Sequence, residues 1–147
     1  MASQKFKQGY YTPKHPEKYI GDVTKIFYRS SWEIKVFFFL DNNNSIINWS
    51  SENISIEYYF PIDKKVHRYY PDLWIKYKDR NGVVKQELIE IKPKKQTKPP
   101  RNGKKSKNLL FEQITYIQNQ CKWEAAVKWC KDRGLTFRVI TEDQIFK

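Results

Sequence analysis

The sequence predicts an α/β fold: a helix, a three-strand meander, a helical region and a last strand, all sharing one mixed sheet. Three observations carry this. "ENISIEYYF", "VHRYYPDLWIKY" and "VVKQELIEIK" follow one another with alternating apolar positions, and "KDRNG" between the last two holds Asn81-Gly82, a strong hairpin signal. "LTFRVIT" is a strand reached only after a helical stretch, so it can pair in parallel with the meander. At 147 residues the chain is long enough for one core and too short for two.

Residues 1–27 read as an N-terminal arm punctuated by Pro13, Pro16 and Gly21, with the folded domain spanning 28–147. "SSWEIKVFFFLD" is a helix with Ser30 or Ser31 as its N-cap, and Asn42 to Asn44 end it. Because this run is short and very apolar, a strand is the alternative. "ENISIEYYF" then places Ile54, Ile56, Tyr58 and Phe60 on one face of a strand, and Pro61 to Lys65 make a turn. The third strand ends at Pro93. Residues 93–107, "PKKQTKPPRNGKKSK", contain no acid and read as a solvated basic loop. Leu110, Ile114, Ile117 and Cys121 then recur at helical spacing. Trp123, Ala126, Val127 and Cys130 share a face of the following helical stretch, with Gly134 at its C′ position.

A formal net charge of +12 calls for a polyanionic partner, and nucleic acid fits best because no basic amphipathic helix points to a membrane. No apolar run approaches the roughly 20 residues that span a bilayer. The N-terminus lacks the apolar segment of a secretion signal, so export is not expected. Cys121 and Cys130 lie far from His15 and His67, a poor zinc set, and are read as reduced thiols.

Asp72, Glu90 and Lys92 are charged residues in otherwise strand-like apolar runs. Leu73, Ile75 and Tyr77 share one face of the second strand, leaving Asp72, Trp74 and Lys76 on the other. Ile89 and Ile91 share a face of the third, opposite Leu88, Glu90 and Lys92. A two-residue turn at Asn81-Gly82 would set Asp72 against Ile91 and break both patterns. A three-residue loop from Arg80 to Gly82 pairs Asp79 with Val83 and sets Asp72 against Glu90, with Gly82 in the left-handed region. Two facing carboxylates repel unless a cation intervenes, and an oxygen-rich acidic pair suits Mg²⁺. An ordinary exposed Glu-Lys ladder is the competing reading, and the matching height of Asp72 weighs against it.

"SSWE", then "PDLW", then "EIK", in this element order, resemble the restriction-endonuclease-like PD-(D/E)xK nucleases. More narrowly, "YRSSWEIKVFFFLDNNNSIINWSSE" and "RYYPDLWIK" with "IEIKPKK" resemble the head completion nucleases of tailed phages. A more distant likeness is to transposon-end endonuclease subunits. The resemblance implies a restriction-endonuclease-like core and Mg²⁺-dependent cleavage of DNA, with Mn²⁺ able to substitute. It implies Asp72 and Glu90 as metal ligands, together with the main-chain carbonyl of Ile91. Lys92 would orient or deprotonate the attacking water, or neutralise the developing phosphorane charge. Such sites often add a glutamate from the first helix, here Glu33, which shares a helical face with Val36, Phe37 and Leu40. Ser30-x-x-Glu33 is equally a capping box, and Glu52 is the other candidate for the position.

Lys94, Lys95, Lys98, Arg101, Lys104, Lys105 and Lys107 follow directly and are expected to track the DNA backbone. Gln113 and Tyr116 could face the site from the long helix. Tyr58, Tyr59, Tyr69, Tyr70 and Trp74 could stack on unpaired bases, with core packing the competing role. The resemblance places the protein in the host cytoplasm or the virion, with the portal or other head and neck proteins as partners, and with no membrane and no small-molecule cofactor. A transposon-end or junction-type endonuclease subunit is the alternative enzyme. A non-catalytic DNA- or virion-binding module is the alternative outside catalysis, to which acids facing phosphate would contribute nothing.

Overall fold

The computed structural model describes residues 8–101 and 108–146, so Lys104, Lys105 and Lys107 lie outside the described residues. The elements are β1 (Gly9–Tyr10), β2 (Phe27–Tyr28), α1 (Ser31–Asn42), β3 (Ile46–Ser51), β4 (Ile56–Phe60), β5 (Lys65–Tyr69), β6 (Leu73–Lys78), β7 (Val84–Ile91), α2 (Asn108–Arg133), β8 (Thr136–Ile140) and α3 (Glu142–Ile145). The central sheet has the order β3-β6-β7-β8. The first three strands are antiparallel, and β8 joins β7 in parallel after the α2 crossover.

The meander differs from expectation in two places. Its first strand is β3, "IINWSS", which the asparagine run before it masked as a helix end. "VHRYYPDLWIKY" is two strands, because Tyr70, Pro71 and Asp72 leave the ladder. Proline cannot donate to a ladder, so a break there is natural. The "IEYYF" segment instead pairs with β5 as a separate two-stranded hairpin.

Alternation along β6 and β7 divides the core between two faces. Leu73, Ile75 and Ile89 pack with Phe37 and Leu40 of α1 and with Trp49 of β3. Leu88 packs on the other face with Trp123, Ala126 and Cys130 of α2 and with the β4–β5 hairpin. Truncating a fully buried residue such as Leu88 removes about 2–5 kcal/mol of stability.

Ser30 Oγ accepts the Glu33 N–H and caps α1, as expected. At the other end the Lys18 ammonium donates to the carbonyls of Leu40, Asp41 and Asn43 at 2.8, 2.9 and 2.8 Å. It thereby satisfies acceptors that a helix end leaves without partners. Asp41 is fully buried and accepts from Tyr11 Oη at 2.6 Å, Lys14 N–H at 2.6 Å and His15 N–H at 2.9 Å. Residues 9–28 are thus tied to the helix terminus, with Tyr19 packed edge-on against Trp49 at 4.8 Å.

α2 is one continuous helix of 26 residues, about 39 Å long, rather than two stretches. Its buried stripe is Asn119, Trp123, Ala126 and Cys130, spaced by three and four residues. Leu110, Ile117 and Val127 remain exposed, contrary to the expected apolar face. Gly134, with φ of +77°, ends the helix as expected, and the Leu135 N–H closes back on the Cys130 carbonyl at 2.9 Å. No helix among the described residues is long and apolar enough to cross a membrane.

Candidate active site

The β6–β7 hairpin has the register expected from parity. Leu73 lies opposite Ile89 and Lys78 opposite Val84. Beyond them Asp79 N–H donates to the Val83 carbonyl at 2.9 Å, and Gly82 takes a φ of +77°. Asp79 Oδ1 also accepts the Asn81 and Val83 N–H groups, both at 2.9 Å, which fixes the three-residue loop. Continued one step past Leu73 and Ile89, the same register would bring Asp72 opposite Glu90, but Asp72 itself lies in the bend outside the ladder.

Only Glu90 of the three charged residues lies inside a strand. Asp72 occupies the bend leading into β6, and Lys92 follows the last residue of β7. Lys92 is held there by its N–H bond to the Ile140 carbonyl of β8 at 3.0 Å. The site therefore sits at the end of the central hairpin, where the strands stop and side chains can reach a ligand.

Asp72 Oδ2 accepts the Ile91 N–H at 2.7 Å, which pins its carboxylate to the strand carrying Glu90. Glu90 is 7% exposed, with Oε1 accepting the Tyr69 hydroxyl at 2.7 Å and Oε2 lying 3.5 Å from the Lys92 ammonium. The Asp72 carboxyl is raised well above the carboxylate range, first by burial and then by the Glu90 charge. The Ile91 N–H and Lys92 only partly offset this, and Glu33 adds to it. Part of the Asp72 surface stays open, so the group is desolvated yet reachable.

Glu33 does not close the expected capping box on Ser30. Its Oε1 accepts the Arg29 N–H at 3.1 Å, one residue beyond the N-cap position of a capping box. The half-buried carboxyl is raised, mainly by burial, against the opposing pull of Arg29, and it feels the Glu90 charge. It therefore lies near enough on α1 for its charge and those of Asp72 and Glu90 to interact. Glu52 does not begin a strand. It lies after β3 with φ of +51°, gives its N–H to the Asp72 carbonyl at 3.0 Å, and pairs its carboxylate with the Arg29 guanidinium.

Lys122 was missed in the sequence, and Tyr69, expected to stack on bases or pack in the core, is buried with its hydroxyl on Glu90. Tyr69 holds Glu90, and its phenol is kept protonated, first by burial and then by the Glu90 charge and hydrogen bond. Lys122 of α2 places its ammonium 5.8 Å from the Tyr69 ring centre. Its pKa is lowered by burial and by Lys92, while Glu90 and Asp72 pull the other way. Both arrive by tertiary packing and carry no local signature, although Lys122 borders the buried Trp123 stripe.

The other candidates divide. Lys94 is drawn toward α3, with its ammonium 3.0 Å from Asp143 and its N–H on Glu142. Lys95, Lys98 and Arg101 line a cleft against the first half of α2, together with Tyr116 but without Gln113. Tyr58 and Trp74 pack into the α2-side core, while Tyr59 and Tyr70 stay exposed.

A mixed sheet between helices, with an acidic pair and a lysine at the end of its central hairpin, is a restriction-endonuclease-like architecture. The chain matches the family described as TnsA-like endonuclease N terminal over residues 43–142, and it belongs to that family. It is also 41% identical over 140 residues to the Head completion nuclease of Enterobacteria phage T4, across 92% of this chain and 91% of that relative.

The donor chemistry fits a divalent cation. Burial first and the Glu90 charge second raise the Asp72 carboxyl, and Lys92 offsets only part of this. Among the described residues no three His, Cys, Asp or Glu side chains are grouped to hold a metal. The donor set that the resemblance implies is the Asp72 and Glu90 carboxylates with the Ile91 main-chain oxygen, and of these the structure brings the two carboxylates close enough to feel each other's charge.

Proposed function

We propose that the protein is a divalent-cation-dependent deoxyribonuclease that hydrolyses DNA phosphodiesters and trims DNA ends in phage head completion, after packaging. The observation that carries the chemistry is the Asp72 carboxylate held on the Ile91 N–H next to Glu90, with Lys92 beside it. The head-completion setting rests on the similarity to the T4 relative. In this reading Asp72, Glu90 and the Ile91 carbonyl hold Mg²⁺, with Mn²⁺ able to replace it. When bound, the cation polarises the phosphate and lowers the pKa of water. The portal or other head and neck proteins are the proposed partners.

The chain's own residues supply the rest. Tyr69 fixes one Glu90 oxygen, so the other is free to face the ligand and Lys92. Lys92 donates hydrogen bonds to the attacking water or to the phosphate oxygens as charge accumulates. Lys122 adds a second ammonium from α2. Glu33 closes the acidic wall from α1 while Arg29 keeps it oriented. A plasmid-nicking assay with Mg²⁺, and with EDTA as control, tests the reading; no cleavage of plasmid, linear or branched DNA would overturn it.

Lys92→Ala is expected to lower turnover by about a hundredfold while leaving the Mg²⁺ concentration for half-maximal activity little changed. Lysine donates charge and does not ligate the cation. Full activity in this variant would remove Lys92 from the mechanism.

Neutralising Lys95, Lys98 and Arg101 together should flatten the plot of log affinity against log salt by about 2 to 3 units. Each side chain that touches a phosphate contributes roughly 0.7 to 0.9. An unchanged slope would move the DNA path away from this segment.

A further inference from the structure

Beyond the acidic pair, residues 95–101 and the first half of α2 enclose a cleft of about 940 Å³. Its two walls differ in chemistry. Lys95, Lys98 and Arg101 form one, all exposed, and each carries a cation. Phe111 and Tyr116 lie on the helical wall, and Phe111 is 69% exposed although it is a large apolar ring. Asn119 also lines the cleft. It is 5% exposed. The one acid in the lining, Glu112, already takes part in an interaction of its own.

We infer that this cleft binds a single-stranded DNA overhang next to the cleavage site. Cations on one wall suit the sugar-phosphate chain, and the exposed Phe111 ring with the half-buried Tyr116 on the other suit base faces, which a duplex does not offer. The Asn119 amide has both a donor and an acceptor for a base edge. The location agrees with this use. Lys95 is three residues past Lys92, and Asn119 is one helical turn before Lys122, so a strand leaving the cleft passes to the acidic pair. The inference deepens the nuclease reading and rests on it for substrate class: a duplex end with an unpaired tail, in preference to a blunt one.

The test is fluorescence anisotropy of the full chain in EDTA, which separates binding from cutting. Three labelled duplexes of equal length are compared: blunt, with a single-stranded DNA tail, and with the same tail made of abasic sites. The tailed duplex should bind about tenfold tighter than the blunt one, and the abasic tail should lose most of that gain. Phe111→Ala should bring the tailed-to-blunt ratio close to one. Its thermal melting should match wild type, since the ring is largely exposed.

Equal affinity for blunt and tailed duplexes would overturn the inference. So would an abasic tail that binds as well as the normal one, because the cleft would then hold phosphates alone. A matched RNA tail that alone confers the preference would overturn it as well. If Mg²⁺-dependent nicking is present without any tail preference, the nuclease reading stands and the subsite fails. A tail preference without nicking gives the reverse.

Discussion

Asp72→Ala and Glu90→Ala are each expected to lower DNA cleavage by about 10²- to 10³-fold or more, with DNA binding in EDTA unchanged or tighter. Each change removes a proposed cation ligand and one negative charge facing phosphate. Wild-type cleavage in either folded variant would refute the site. A second readout does not need catalysis. The Asp72 carboxyl is raised in the folded chain, first by burial and then by Glu90, so its ionisation opposes folding. Its contribution to stability is fully present below the ordinary carboxylate range and is lost as pH rises through the raised value. Asp72→Asn should therefore raise the melting temperature of the metal-free protein at neutral pH, and that gain should vanish in acid. Added Mg²⁺ should stabilise wild type by mass action and leave Asp72→Asn largely unaffected.

Asp41→Ala should cost about 3–5 kcal/mol of stability, read by denaturant unfolding. The carboxylate is fully buried and is the common acceptor for the Tyr11 hydroxyl and the Lys14 and His15 N–H groups. Removing it leaves three donors without a partner where water has little access. Asp41→Asn, which keeps one acceptor oxygen, should lose less. The pH dependence has a definite sign. Burial acts to raise the Asp41 carboxyl, but its three hydrogen bonds and the neighbouring His15 outweigh it, so the pKa lies below the ordinary value. This contribution is present above the ordinary carboxylate range and disappears as pH falls through the lowered value. A wild-type-like unfolding midpoint in Asp41→Ala would show that residues 9–28 are held by their apolar contacts instead.

The site's central geometry was legible because it is local. Alternation along β6 and β7 and the Asn-Gly turn left only one loop length that kept the apolar faces aligned. That loop gave the Leu73–Ile89 register, which leaves Asp72 and Glu90 at the same end of the hairpin. The helix cap at Ser30 and the glycine stop at Gly134 were legible for the same reason. What escaped was decided at long range. β3 was hidden because "SIINWSS" follows three asparagines and lacks clean alternation, so the neighbouring "IEYYF" run took its place. Pro71 splits one apparent strand so that β4 and β5 can fold toward α2, a choice made by packing. Lys122 and Tyr69 join the site through that same packing. The resemblance supplied the nuclease reading that parity could only suggest, and the family match agrees with it.

The parallel pairing of β8 with β7 has a consequence for the order of events during synthesis. Asp72, Glu90 and Lys92 leave the ribosome within about twenty residues of one another, and a hairpin can form in microseconds. Yet the Lys92 N–H is held by the Ile140 carbonyl, and Glu90 and Ile91 pair with Val139 and Ile140. Those partners emerge only after the whole of α2 has been made, at roughly 5–20 residues per second. For the seconds in between, a nascent chain carries all the acids and the lysine but lacks the strand that aligns them. Cutting ability should therefore arise late and abruptly, when β8 docks, rather than growing as the chain lengthens.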